Sequence, residues 1–120
     1  MCIRDSTLMG NWFTESFRAE HPEVVQRVAD MIDSVDDEGY AHNGTALATW
    51  DFAGELGKIT CPVLTIAGAS DPTCPPEKLA EIAEGVAGPS QSVVVDPAAH
   101  QVAIDNPEEF NTALTRFLGS

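Results

Sequence analysis

Apolar residues fall into two kinds of pattern along this chain. In the first, Val24, Val25, Val28, Met31, Ile32 and Val35 recur at steps of three and four, and Pro22 suits a first helical turn. The spacing predicts a helix over residues 21–35, stopped by the acidic run from Asp33 to Gly39. A second helix is expected over about Tyr40 to Trp50, where alanines favour it and Gly44 and Thr45 weaken it.

The second pattern is short, apolar and rich in β-branched residues. Val63 to Ala67 lies between turn residues and is too short for a core helix, so it predicts a buried strand. Ser92 to Asp96 predicts another. Between them, Asp71-Pro72-Thr73-Cys74-Pro75-Pro76 reads as loop, and Leu79, Ile82, Ala83 and Val86 predict a helix from about Pro76 to Val86. Pro97 to Asp105 reads as loop. The last helix has the fullest signal: Asn106 as N-cap, Pro107 at the first helical position, Glu108 and Glu109 at the positive end, then Phe110, Leu114, Phe117 and Leu118 on one face.

Alternating helices and apolar strands predict an α/β fold with a parallel sheet. Two strands do not complete such a sheet, because its edges and faces need cover. Further strands are therefore expected upstream, or the chain assembles with something else. Met1-Cys2-Ile3-Arg4-Asp5-Ser6 fits no element. It resembles the translation of a transposon-adapter sequence used in DNA library preparation, with a frayed N-terminus as the alternative.

Length and composition narrow the function. At 120 residues the chain holds one domain at most, and 43% hydrophobic residues suffice for a core. Six basic residues face 19 acidic ones, a net charge of −13, which argues against nucleic acid and anionic membranes as partners. No apolar run is long enough to span a membrane, and no leader pattern stands at the N-terminus, so a cytoplasmic protein is expected. Cys2, Cys61 and Cys74 show no CxxC spacing, and His21, His42 and His100 no HxxxH spacing, so neither a disulfide framework nor a metal site is visible. Phosphate-binding glycine loops are absent too, and no cofactor is expected. Cys61, just before a strand, reads as a small core residue; His21 and His42 read as structural or exposed.

In open parallel sheets the chemistry sits beyond the carboxyl ends of the strands. Asp71 follows the first strand and His100 the second. Adjacent parallel strands bring these loops together, so Asp71 is expected to accept a hydrogen bond from one ring nitrogen of His100. That leaves the other nitrogen free to act as a base. Taken singly, Asp71 reads first as a turn former and His100 as an ordinary loop residue; it is the pair, each following its own strand, that points to chemistry.

The segment Ile59 to Pro76 resembles the strand-and-acid-loop region of α/β-hydrolases. Pro97-Ala98-Ala99-His100, followed by Asn106-Pro107-Glu108-Glu109-Phe110 and Phe117-Leu118, resembles their histidine loop and final helix. Within that superfamily the sequence looks most like 3-oxoadipate enol-lactonases, through Trp12-Phe13-Thr14, Phe17-Arg18-Ala19, Gly39-Tyr40-Ala41 and Ile66-Ala67-Gly68-x-x-Asp71-Pro72-x-x-Pro75-Pro76. The resemblance implies a C-terminal fragment of the fold: part of a helical cap over residues 7–38 and the end of the core over residues 39–120.

It also implies that Asp71 and His100 are the acid and base of a Ser-His-Asp triad that hydrolyses a small lactone or ester. The serine would stand in a GxSxG elbow, and the sequence contains none, so the nucleophile is expected upstream. Trp12 and Arg18 fall in the cap-like segment, as a substrate wall and a carboxylate ligand, or as a packing residue and a solvated arginine. Cys74 stands where many relatives carry threonine. Carboxylesterase or C–C bond hydrolase activity on the same fold, and a truncated module without catalysis, remain open at this point.

Overall fold

The computed structural model describes residues 3–119. Met1 and Cys2 of the adapter-like segment lie outside the described residues. Ile3 to Ser6, expected to fit no element, are instead the start of helix α1 (Ile3–Trp12). Leu8, Met9 and Trp12 recur at helical spacing and pack toward the next helices, which carries the helix upstream.

Helix α2 (Glu15–Glu20) starts at Thr14, whose hydroxyl accepts from the Phe17 backbone N–H. Helix α3 (Pro22–Asp33) begins with proline, as predicted. It ends at Ser34, whose hydroxyl donates to the Met31 carbonyl, rather than at Gly39. Gly39 belongs to helix α4 (Asp37–Thr49), because the Asp36 carboxylate caps its backbone N–H at 2.7 Å. The expected boundary between residues 38 and 39 therefore falls inside α4. Helices α1 to α3 close around Met9, Phe13, Ala29 and Ile32, with Trp12, Phe17, Val25 and Val28 packed at the rim. Met31 and Val35, on the edge of the predicted apolar stripe, remain exposed.

A 3₁₀ turn (Ala53–Lys58) leads into strand β1 (Val63–Gly68). Helix α5 (Pro76–Gly85) crosses to strand β2 (Ser90–Val95), which pairs parallel with β1 from Val63 opposite Ser90 to Gly68 opposite Val95. A short helix α6 (Val102–Asp105) and helix α7 (Pro107–Leu118) complete the chain. The second core gathers Val95, Ala98 and Val102, with Ile66, Val93 and Phe110 against them. In α7, Asn106 caps the Glu109 N–H and Pro107 stands at the first position, as the sequence predicts.

Four expectations change. Strand β2 is not buried: among the described residues it is an edge strand paired only with β1, and only Val95 is enclosed. The stretch from Pro97 to Asp105 is not all loop, because Val102 enters the core and winds α6. Cys61 is exposed. Leu118 lies beyond the packed part of α7 and is exposed as well. Among the described residues, no helix is long and apolar enough to cross a membrane.

Candidate active site

The last residue of β1 brings two loops together. A Cβ on Gly68 would meet the Ala99 carbonyl oxygen at 2.1 Å and that of Ala98 at 2.7 Å, so only glycine lets the chain leaving β2 pass this close. The backbone then stitches the two exits. Ala69 N–H donates to the Val95 carbonyl and Ser70 N–H to that of Ala98, each at 2.9 Å. Asp71 follows on one side of this seam and His100 on the other.

The two side chains meet there. His100 Nδ1 lies 2.9 Å from Asp71 Oδ2. Asp71 Oδ1 accepts from the backbone N–H groups of Thr73 at 2.8 Å and Cys74 at 3.0 Å. The carboxylate side chain is only 4% exposed, and the imidazole keeps 28%. Burial alone would raise the pKa of Asp71. The Cys74 N–H, the His100 ring, the Thr73 N–H and the charge of a protonated His100 together outweigh it and hold the carboxyl below its ordinary range. An ionised Asp71 at Oδ2 selects the Nδ1–H tautomer, which leaves Nε2 with its lone pair.

A third acid supports this loop. Asp105 Oδ2 accepts from Ala99 N–H at 2.7 Å and from Thr14 N–H at 3.0 Å, and Oδ1 accepts from the Thr14 hydroxyl at 2.8 Å. One carboxylate thus ties the peptide beside His100 to the start of α2. The sequence reading missed Asp105 because it assigned the whole stretch to loop. An acid directly after the apolar Val102-Ala103-Ile104 run and before the Asn106-Pro107 helix start was the available signal.

Trp12 joins from the same side. Its carbonyl accepts from Gln101 N–H at 2.9 Å, and its ring centroid lies 6.2 Å from that of His100. Arg18 is exposed in the last turn of α2 and takes part in none of the hydrogen bonds that build the site. A cleft of about 440 Å³ opens between Phe17, His21, Val24, Ile104 and Pro107, but neither Asp71 nor His100 lines it.

No family model matches the chain. It is 32% identical over 108 residues to 3-oxoadipate enol-lactonase 2 of Acinetobacter baylyi, a match that covers 90% of this chain and 40% of the relative. The enol-lactonase structure from Burkholderia xenovorans superposes with a TM-score of 0.92 at 29% identity, covering 98% of this chain and 44% of that one. The chain has the fold of part of an α/β-hydrolase. The chain also superposes on a thermophilic esterase from Thermogutta terrifontis, with a TM-score of 0.87 at 29% identity over 97% of its own length and 43% of the esterase. It spans about 40% of the length of the curated relative it matches. Its two parallel strands and flanking helices are that part of the fold.

Proposed function

We propose that this α/β-hydrolase segment carries the acid and base of a Ser-His-Asp triad. The reaction is hydrolysis of a small lactone, of the 3-oxoadipate enol-lactone type, through an acyl-enzyme. The observation that carries the reading is the 2.9 Å contact between His100 Nδ1 and a buried, ionised Asp71. An imidazole held in one tautomer beside a carboxylate is what a hydroxyl nucleophile needs.

In this reading His100 Nε2 takes the proton of a serine hydroxyl as it attacks the lactone carbonyl. The imidazolium, stabilised by Asp71, then returns that proton to the leaving oxygen. Water repeats the cycle to release the acid. No GxSxG stands among the 120 residues, so the serine is supplied from outside this sequence. Trp12, beside the imidazole, walls the substrate; Arg18 meets a substrate carboxylate when the cap closes.

The test is made on an intact enzyme that includes this segment. His100→Ala should lower kcat by several orders of magnitude, and Asp71→Asn by up to about 10⁴-fold through the wrong tautomer. Turnover that survives both substitutions would exclude the triad. The esterase likeness supports a second substrate class, a simple carboxylester. A higher kcat/KM for an enol-lactone than for an alkyl ester of the same acid decides between them.

A further inference from the structure

Metal-ligand spacing is absent from the sequence, yet the fold assembles a ligand set that spacing cannot display. Asp71, Cys74 and His100 each offer one ligand atom, and these atoms lie within 4.8 Å of one another. A carboxylate oxygen, a thiol sulfur and an imidazole nitrogen form a mixed donor set suited to zinc and its heavier congener cadmium. Bonds of about 2.0–2.3 Å in a tetrahedral zinc site put neighbouring donors roughly 3.5 Å apart, so small side-chain rotations close the set.

The loop itself delivers the sulfur. Thr73 and Cys74 both donate their backbone N–H to Asp71 Oδ1, which folds the loop back over its own acid and brings Cys74 beside the pair. Cys74 is exposed, so solvent ions reach it, while the Asp71 side chain is nearly enclosed. Three donors of different chemistry thus converge from two loops, with an open side.

We propose that Asp71, Cys74 and His100 form a binding site for a thiophilic divalent cation of the zinc and cadmium class. The Cys74 thiolate, one imidazole nitrogen of His100 and one carboxylate oxygen of Asp71 hold the ion, and water fills the fourth position. The thiol proton leaves to solvent on binding, and neutral imidazole donates its lone pair. Thiolate and carboxylate together balance the dication. An occupied site withdraws His100 from proton transfer, so the ion inhibits any chemistry that uses the pair. Binding itself does not depend on the hydrolase reading.

The experiment uses an intact protein that includes this segment, with every cysteine but Cys74 replaced by serine, Cys2 and Cys61 among them. Cadmium chloride is titrated while the ultraviolet thiolate-to-cadmium charge-transfer band is followed. A saturable band at one ion per chain is expected, with zinc competing for the site. Adding Cys74→Ser should abolish the band, and His100→Gln should weaken affinity by at least about tenfold. Proton resonances of the His100 ring should shift in the parent chain over the same titration, which needs no substitution at the histidine. The proposal is overturned if no saturable band forms, if the band survives Cys74→Ser, or if the His100 resonances ignore the ion.

Discussion

His100 Nδ1 sits 2.9 Å from Asp71 Oδ2 although 29 positions of sequence separate the two residues. Each side chain is delivered by the exit of its own strand, and the parallel pairing of those strands makes them neighbours. The arrangement is asymmetric. The acid is enclosed and fully hydrogen-bonded, whereas the ring keeps one nitrogen for other work.

The first prediction concerns pH. The Asp71 carboxyl is held below its ordinary value of 3.8, so the folded state binds its proton less readily than the unfolded chain. Its contribution to stability is fully present above the ordinary value and is lost as pH falls below that value through the lowered one. Denaturant unfolding of the intact protein between pH 6 and about 2 should show wild type and Asp71→Asn converging toward the acid end. A gap that widens on acidification would contradict the sign.

A second prediction follows from the carboxylate of Asp105. Asp105→Ala leaves the Ala99 N–H and both Thr14 donors without their acceptor, and should destabilise by about 1.5–3 kcal/mol. Thr14→Ala and Asp105→Ala should be non-additive, with a coupling energy of at least about 0.5 kcal/mol in a double-mutant cycle. Additive losses would mean that the two residues act separately.

Gly68 offers a sharper structural test. Even a methyl group there would overlap the Ala99 carbonyl, and flexible side-chain atoms are not available to yield, because the obstacle is backbone. Gly68→Ala should cost about 1–3 kcal/mol or more and shift the imidazole resonances of His100. Gly44, whose added Cβ meets nothing, is the matched control: Gly44→Ala should stabilise its exposed helix by up to about 1 kcal/mol.

The isolated 120-residue chain should lack lactonase and esterase turnover and should self-associate. Among the described residues β1 pairs on one side only, and Leu47, Trp50 and Phe52 are exposed. The −13 charge opposes association only weakly where salt screens over about 8 Å. Sedimentation should therefore give masses above 12.8 kDa, with strong binding of an apolar fluorophore. A monodisperse monomer with one sharp thermal transition would refute this expectation.

Where local chemistry dictates structure, the sequence was readable. Asn106-Pro107 announced α7 because cap and first-turn preferences are intrinsic, and the Val63 to Ala67 run announced β1 because it had no other way to bury its side chains. The Asp71–His100 contact was legible because parallel pairing turns two separate strand exits into neighbours. Tertiary support was not legible. Asp105 takes its meaning from Thr14, which lies 91 positions away, and no local preference records such a partner. Gly39 looked like a helix stop because glycine often is one; the Asp36 cap made it part of a start instead. Val94 looked buried because its neighbours are apolar, but an edge strand exposes one of its sides.

The Thr14 hydroxyl does two jobs at once, accepting from Phe17 N–H to begin α2 and donating to Asp105 beside the histidine loop. The consequence is mechanical. A displacement of helix α2 must break the Thr14–Asp105 hydrogen bonds or be passed through Asp105 to the peptide that precedes His100. The position of α2 and the placement of the imidazole are thereby linked through one carboxylate.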